Sequence, residues 1–336
     1  MITIDGSKGE GGGQVLRSSL ALSAISGEGL RMQNIRAGRA KPGLMRQHLT
    51  ATLAVAEICG GHISGAEIGS TEIGLKPGSI RAGDYSFSVG SAGSANLVLQ
   101  TVLPMLLHAD GPSTVKVSGG THNMASPPFD FLEESFLPAL RAIGHDISIQ
   151  IHAYGFYPAG GGEIEVSVRP QKELSELVLL ERGAEQWRNL EAVIANLSGD
   201  IAKRELATAG EALGIDEDDR RITTRHSSGP GNVLFARIEY DNLRAVFSQF
   251  GEKGTSAEQV AKRLAKKVKT FAASDAAVSH HLADQLLLPM ALAKGGEFST
   301  LRPSLHAQTN AEIVSKFTGR KLEFSEIGSV YNCVIK

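Results

Sequence analysis

Two segments of the chain repeat the same order of predicted strands and helices. Their glycine turns, GSKG at 6–9 and GSAG at 90–93, lie 84 positions apart. Each turn follows an alternating strand pattern and precedes apolar residues at helical spacing. A second strand, a second helix and a closing strand follow in both copies. Because such a unit cannot bury its apolar face alone, the repeat predicts stacked β-α-β-α-β units.

A third, shorter copy lies near the C-terminus, and its first helix begins near Asp284. Two even steps of 84 residues from Gln14 place that helix at about residue 182, so about 100 residues are in excess. Residues 181–276 supply them and have their own pattern of strands and helices. The pattern therefore predicts a small α/β sandwich inserted between the second and third repeats.

This interpretation divides the chain into two nested domains. The large three-repeat domain is predicted to consist of residues 1–180 and 277–336, and the small inserted domain of residues 181–276. A length of 336 residues is ordinary for two domains. Repeats of this kind usually have only a structural role, so function has to be sought in the residues that decorate them.

Composition excludes several classes of protein. The net charge is −2, which argues against a broad basic surface that coats nucleic acid. No apolar run approaches the roughly 18–20 residues of a membrane span, and the first residues lack a signal-peptide pattern. Two cysteines, Cys59 and Cys333, are too few for a disulfide framework. We therefore expect a cytoplasmic protein with no membrane partner.

The first candidate site is the glycine-rich turn at 5–13, between a predicted strand and a predicted helix. Glycines let the backbone approach a ligand closely, and a helix N-terminus attracts anions. The spacing matches neither a Walker A loop nor the dinucleotide-binding fingerprint. Glu10 in this turn either caps the helix or holds a metal ion against bound phosphates. Arg17, one turn into the helix, is either a surface arginine or a phosphate clamp.

The second candidate is the stretch at 35–48, which carries four cations and no acid. Its glycines and proline predict an exposed loop that leads into a helix. Arginine binds phosphate oxygens through two parallel hydrogen bonds. The stretch is therefore either a solvated loop or a phosphate site. Its cations are Arg36, Arg39, Lys41 and Arg46.

The third candidate is His306, which we predict to lie in a loop before a helix at 310–319. The adjacent Gln308, Thr309 and Asn310 are expected to set the tautomer of its imidazole ring. Such a histidine is either a structural or exposed residue, or a nucleophile or acid–base group. No spacing of His, Cys, Asp and Glu in the sequence indicates a tight zinc site.

Motifs over essentially the whole chain resemble those of the RNA 3′-terminal phosphate cyclases. They are DGSKGEGGGQVLR at 5–17, IRAGRAKPGLMRQHL at 35–49, AEIGST at 66–71, SAGS at 91–94, SGGTHNMASPPFDF at 118–131, GFYPAGGGE at 155–163, ERG at 181–183, GEKGTSAE at 251–258, LADQLLLPMALA at 282–293 and HAQTN at 306–310. The resemblance implies an α/β (α+β) fold of three stacked β-α-β-α-β-β repeats with a small α/β insert, in agreement with the period.

The resemblance also implies an activity. A histidine attacks the α-phosphorus of ATP and forms a histidine–AMP intermediate, and the AMP passes to an RNA 3′-phosphate to give an RNA(3′)pp(5′)A end. The vicinal 2′-OH then expels AMP and leaves a 2′,3′-cyclic phosphate. The implied cofactors are ATP and a divalent metal, Mg²⁺ or Mn²⁺. The implied partners are RNA 3′-phosphate ends, with a homodimer as a candidate assembly.

The site residues carry over motif by motif. His306 is the implied nucleophile, and Glu10 is implied to engage the metal on the ATP phosphates rather than to cap the helix. His281 stands where a tyrosine commonly stacks on adenine, and an imidazole ring can also stack. The remaining implied nucleotide-site residues are Arg17, Arg39 and Gln47 as phosphate contacts, with Arg36 as a weaker one, Gln100 near the metal or triphosphate, and Pro127, Phe131, Asp284 and Gln285 in the nucleotide pocket.

Three alternatives belong to other classes of protein. Non-catalytic relatives that act in ribosome assembly lack the histidine loop and the glutamate of the first turn, and both are present here. Enolpyruvyl transferases share the repeat architecture, but none of their motifs occurs in this chain. A generic RNA-binding module would explain the arginines but not Glu10 or His306.

Overall fold

A computed structural model describes residues 1–336, beginning with a unit in which two helices alternate with strands. Strands β1 and β2 are parallel, and the other pairs of this sheet are antiparallel, in the order β1-β2-β4-β3. The unit consists of β1 (Ile2–Asp5), α1 (Gly13–Ser26), β2 (Leu30–Gln33), α2 (Arg46–Ile58), β3 (His62–Ser64) and β4 (Ile73–Lys76).

The second unit has the same connectivity and the equivalent sheet order, β5-β6-β8-β7. Its second helical segment contains a π-helical turn, Leu132–Phe136, between two α-helical pieces. The other elements are β5 (Asp84–Ser88), α3 (Ala95–Leu106), β6 (Ser113–Gly119), α4 (Phe129–Phe131), α5 (Leu137–Ile143), β7 (Asp146–Ala153) and β8 (Gly162–Arg169).

Strand β9 (Leu177–Leu179) follows, and then a separate sheet with two helices on one side. That sheet has the order β11-β10-β12-β13, with β10 and β11 parallel. It consists of β10 (Glu185–Ala195), α6 (Gly199–Leu213), a 3₁₀ turn (Glu217–Asp219), β11 (Arg220–Thr224), β12 (Gly231–Tyr240), β13 (Arg244–Phe250) and α7 (Ala257–Ala272).

The third unit is completed at the C-terminal end of the chain. Its sheet has the order β9-β14-β16-β15, the same relative order as in the first two units, and β9 pairs in parallel with β14. The elements are α8 (His280–Leu292), β14 (Gly296–Thr300), α9 (Leu305–Thr318), β15 (Leu322–Ile327) and β16 (Val330–Ile335). The insertion therefore lies inside the third unit, after its first strand, and not between the second and third units as predicted. The predicted α/β (α+β) class is confirmed.

Two apolar cores accompany this arrangement. The larger contains 68 buried residues and the smaller, inside the insertion, contains 21. Side chains of β12 alternate between them, since Val233 and Phe235 join the larger core while Leu234 and Ala236 join the smaller. The inserted sheet is thus covered on both faces. The exact domain boundaries stay a prediction.

The two ends of the insertion meet at one place. The Ser299 hydroxyl donates to the carbonyl of Leu180 at 2.7 Å and accepts from the N–H of Ala277 at 2.8 Å. The Arg182 guanidinium, just inside the insertion, donates to four carbonyls, two in the last turn of α7 and two just after it. The chain therefore leaves and re-enters the third unit side by side. None of the helices combines the length and apolarity needed to cross a bilayer.

Candidate active site

His306 lies in the first turn of α9, not in a loop as predicted. Ser304 caps this helix, because its hydroxyl accepts a hydrogen bond from the Ala307 N–H at 3.1 Å. The helix therefore begins at Leu305, five residues before the predicted start. The His306 side chain is 41% exposed, so its ring is accessible while being held by a helix.

The glycine turn between β1 and α1 rests against this part of α9. Gly9 has φ +64°, and a Cβ atom there would lie 2.3 Å from Thr309 Oγ1. The next residue, Glu10, donates its N–H to the same hydroxyl at 3.0 Å. Only glycine satisfies both the backbone conformation and the close approach. A contact between residues 299 positions apart thus places Glu10 beside His306.

The Glu10 carboxylate faces the imidazole ring. Its Oε1 lies 3.2 Å from His306 Nε2 and forms an ion pair with Arg39, whereas its buried Oε2 has no hydrogen-bond partner. Helix α1 has Gly12 at its N-cap and no capping side chain. The capping alternative for Glu10 is therefore wrong. A buried carboxylate oxygen without a partner fits a cation ligand.

The opposite side of the ring contacts the first unit. Gln14 Oε1 lies 2.9 Å from His306 Nδ1, and the Gln14 amide donates to Asp284 Oδ1 at 3.0 Å. Asn310 donates to the Asp284 carbonyl at 3.1 Å, and Ser18 donates to Asn310 Oδ1 at 2.7 Å. This polar network joins α1, α8 and α9. Gln14 and Ser18 were not predicted; Gln14 precedes Arg17 by three residues and Ser18 by four, and this helical spacing is the signal that the sequence offers.

Burial and the neighbouring charges set the ionisation of the site. Burial lowers the pKa of Arg17 to about 10, although Asp284 opposes this effect, and it raises the pKa of Asp284 itself. Burial also lowers the pKa of His306, helped by the Arg17 and Arg39 charges and opposed by Asp284. The nearby His48 is buried as well, and its pKa falls to about 3. Both imidazole rings are therefore neutral at pH 7.

Of the three predicted glutamines, Gln100 and Gln285 lie beside this network and Gln47 contacts the second unit. The Gln100 amide donates to Gln285 Oε1, which joins α3 to α8. Gln47 Oε1 accepts from the Ser94 N–H at 2.8 Å and joins α2 to the N-cap of α3. Gln100 and Gln285 also line one cavity with Gln14, Arg17 and Asp284.

Most of the other predicted site residues belong to the apolar core or form hydrogen bonds away from His306. Phe131 is 4% exposed and belongs to the large core, and the Pro127 carbonyl accepts a hydrogen bond from Asn96 at 2.7 Å. Burial lowers the pKa of His281 to about 4, and the positive charges of Lys267, His280 and His306 act in the same direction. Arg36 is 8% exposed and donates to the Lys41 and Gly43 carbonyls, so it braces its own loop.

The predicted neighbours of His306 act differently from expectation. The Gln308 amide donates to the Pro303 carbonyl at 3.0 Å, away from the ring. Thr309 holds Glu10, and Asn310 holds Asp284, so neither sets the tautomer directly. The site as a whole combines an accessible neutral imidazole, a carboxylate with a free oxygen and two arginines. Such a set is suited to nucleophilic attack on an anionic phosphorus centre.

Two comparisons with known proteins give the same family description. The family model described as RNA 3′-terminal phosphate cyclase matches residues 8–324. A protein of Koribacter versatilis (strain Ellin345) named RNA 3′-terminal phosphate cyclase is 49% identical over 327 residues, which cover 97% of this chain and 92% of that protein.

A solved structure, the enolpyruvyl transferase NikO from Streptomyces tendae, is a distant match. Its identity is 8% and its TM-score 0.40, over 99% of this chain and 48% of that one, and this similarity supports no inference about function. The match to the family model and the 49% identical relative lead to a firm assignment. The chain belongs to the RNA 3′-terminal phosphate cyclase family.

Proposed function

We propose that this protein uses ATP to convert an RNA 3′-phosphate end into a 2′,3′-cyclic phosphate. The observation that carries the proposal is the position of His306 Nε2, 3.2 Å from the Glu10 carboxylate at the glycine turn. Arg39 is paired with that carboxylate. The name and 49% identity of the Koribacter relative support the same activity.

In the first step, the Nε2 lone pair of His306 forms a bond to the α-phosphorus of ATP. The bond from that phosphorus to the bridging oxygen breaks, and its electron pair leaves with pyrophosphate. Arg17 and Arg39 would neutralise the charge that develops on the phosphoryl oxygens. A phosphomonoester is a poor electrophile, so the transfer of AMP to the RNA 3′-phosphate supplies the leaving group for attack by the 2′-OH.

Glu10 is the residue that would hold a divalent metal, because its buried Oε2 lacks a hydrogen-bond partner. The structure contains no cluster of three or more His, Cys, Asp or Glu that could form a complete protein site. A single carboxylate is the arrangement expected for Mg²⁺ or Mn²⁺ that is held mainly by substrate phosphates. Such a metal would neutralise charge on the triphosphate.

We assign the rest of the nucleotide site from the family motifs. Asp284 and Gln285 lie next to the His306 network, which favours a role at the nucleotide. Gln47, Gln100, Pro127, Phe131 and His281 are proposed as further nucleotide contacts, and a cytoplasmic location and a homodimer are proposed in the same way. A neutral His281 ring can stack on adenine.

Labelling of the protein by ATP tests the proposal. Incubation with α-labelled ATP and Mg²⁺ or Mn²⁺ should leave an acid-labile label on the protein, as expected for a phosphoramidate. His306→Ala should abolish the label, and the exposed His62→Ala on β3 should retain it. Label on the His306→Ala protein would overturn the assignment of the nucleophile.

A second experiment addresses the complete reaction. Purified protein, ATP and a 3′-phosphorylated oligoribonucleotide should yield an end that resists phosphatase. An end that stays phosphatase-sensitive, together with no labelling, would instead favour the non-catalytic role known among relatives that act in ribosome assembly.

A further inference from the structure

Two neighbours compete for the single proton of the neutral His306 ring. Glu10 Oε1 lies 3.2 Å from Nε2, and Gln14 Oε1 lies 2.9 Å from Nδ1. A proton on Nε2 would satisfy Glu10 but would occupy the lone pair that the proposed attack requires. A proton on Nδ1 leaves that lone pair free. The reactivity of His306 therefore depends on which ring nitrogen carries the proton, and hence on which neighbour accepts a hydrogen bond from it.

Gln14 can accept a hydrogen bond from Nδ1–H only if its amide oxygen faces the ring. An amide can be rotated so that its oxygen and nitrogen exchange places, and its other partner determines the choice. That partner is Asp284 Oδ1, which lies 3.0 Å from the Gln14 nitrogen. The reversed amide would place two acceptor oxygens against each other. Asp284 therefore turns the Gln14 oxygen toward Nδ1.

Asp284 is itself fixed in place. Asn310 Nδ2 donates to the Asp284 backbone carbonyl at 3.1 Å and to Asp284 Oδ1 at 3.4 Å, and Ser18 donates to Asn310 at 2.7 Å. Asn310 is 4% exposed and Ser18 is 7% exposed. The orientation of the Gln14 amide is thus determined by buried groups on α1, α8 and α9.

We infer that Gln14 is a positioning residue that keeps the His306 proton on Nδ1, so that Nε2 is free to attack. The inference rests on the proposed role of His306 as nucleophile. In enzymes that use an Asp–His pair, a carboxylate commonly fixes the histidine tautomer. Here a neutral amide does so. Asp284 orients the Gln14 amide, and Gln14 orients the ring, so no carboxylate other than Glu10 has to lie directly against the imidazole.

The tautomer can be measured without ATP. In protein labelled with ¹⁵N-histidine at pH 8, the two ring nitrogens of His306 differ in chemical shift according to which one carries hydrogen, and His306→Asn identifies the signals. We expect the Nδ1–H form in the wild type. Gln14→Met removes both polar atoms at similar side-chain length, so the proton should move to Nε2, where Glu10 is then the available acceptor.

Two further variants separate this role from a packing effect. Gln14→Glu combined with Asp284→Asn keeps an acceptor for Nδ1–H and an amide donor facing that acceptor, and should keep the wild-type tautomer. Gln308→Met makes the same substitution on an exposed residue of α9, two positions from the nucleophile, and should leave the tautomer and the labelling unchanged. A change of tautomer in Gln308→Met would mean that the sequence neighbours of His306 set its tautomer, and it would overturn the inference.

Single-turnover labelling gives the second readout. At saturating ATP, Gln14→Met should form the adenylylated protein more slowly, by a factor on the order of 10², with unchanged ATP affinity. Wild-type labelling in Gln14→Met, or an unchanged Nδ1–H tautomer in it, would refute the inference. If no form of the protein takes label while the tautomer shifts as expected, the proposed function fails and the assignment of Gln14 stands.

Discussion

At the scale of single residues, burial decides which ionisable side chains carry charge. Glu205 on α6 is fully buried, and its Oε2 accepts from the Asn232 amide at 2.9 Å while its Oε1 has no partner. Burial raises the pKa of this carboxyl from 4.5 to about 7. The folded protein therefore favours the protonated acid, whereas the unfolded chain releases the proton near pH 4.5.

This difference predicts how stability varies with pH. Between pH 4.5 and 7 the folded state holds a proton that the unfolded state has lost, so the free energy of unfolding falls as pH rises through this window. Glu205→Gln mimics the protonated acid at every pH. At pH 8 it should increase the free energy of unfolding by about 2–3 kcal/mol, and by little at pH 4.5.

Urea denaturation at the two pH values measures the effect. Glu211→Gln, on an exposed position of the same helix, is the matched control, and its effect should stay within about 0.5 kcal/mol. An equal gain from Glu205→Gln at both pH values would show that the carboxyl is not neutral in the folded state.

Residue types and motifs predicted His306 and Glu10 as site residues, and the structure places the two side chains next to each other. The partner that holds His306 Nδ1 was not predictable, because Gln14 lies 292 positions away and is close only after the first and third units have packed together. The sequence neighbours point elsewhere, since a helix directs consecutive side chains about 100° apart. Only residues on one face of α9, such as His306 and Asn310, take part in the same network.

At the scale of elements, the glycine turn of the first unit requires glycine at position 9 for two reasons, its backbone conformation and its close packing against α9. Gly9 and Gly27 both have a positive φ, of +64° and +73°. A Cβ atom on Gly9 would meet Thr309 Oγ1 at 2.3 Å, but a Cβ atom on Gly27 would meet nothing within 4 Å. A side chain at either position would therefore strain the backbone, but only a side chain at position 9 would also clash with a neighbouring residue.

Alanine at the two positions should separate these effects. Gly27→Ala is expected to lower the free energy of unfolding by about 1–2 kcal/mol, the strain of a left-handed alanine. Gly9→Ala should lose more, and it should also slow labelling by ATP because Glu10 is displaced from His306. The measurements are thermal unfolding and labelling rate. Equal effects on both would show that the contact with Thr309 is unimportant.

Periodicity predicted most of the elements, including the strands and helices of the insertion. It missed the start of α9, because Ser304 supplies the cap and His306 lies within the first turn. It also missed β9, which has only three residues and is defined by its pairing with β14 rather than by its own pattern. Short strands and helix ends depend on contacts that lie outside the local sequence.

At the scale of the whole molecule, a buried ionic cluster joins the insertion to the second unit. Arg237 on β12 is 6% exposed and contacts Asp130, Glu134 and Glu191 at 2.8–2.9 Å. Asp130 is the second residue of α4, and His306 and Gln47 are the second residues of α9 and α2. The position occupied by His306, the proposed nucleophile, in the third unit is thus occupied in the second unit by a carboxylate that pairs with the insertion.

Removal of Arg237 should deprive three buried carboxylates of the cation that they share, which leaves Glu134 with Arg244, Glu191 with Arg221 and Asp130 with His122. Arg237→Met is therefore expected to lower the free energy of unfolding by about 3–5 kcal/mol. Arg204→Met breaks an exposed pair with Glu258 and should lower it by less than about 1 kcal/mol. Denaturant unfolding compares the two variants, and similar losses in both would contradict a stabilising role for the cluster.

The displacement of the third copy along the chain predicted an insertion, but it did not predict that the first strand of the third unit precedes the insertion. The surface between the insertion and the second unit was not predictable, since the two apolar faces of β12 look alike in sequence. A strand with continuous burial does not reveal which neighbour covers each face.

The side-by-side ends of the insertion bear on how such a molecule can arise. Because Leu180 and Ala277 bond to one Ser299 hydroxyl, a segment joined at this point adds a domain without altering the pairing order of the third sheet. A short linker in its place would connect Leu180 to Ala277 and keep the third unit continuous. The excised form would expose the carboxylates of Asp130 and Glu134, so the junction tolerates a change in gene architecture more readily than the neighbouring surface does.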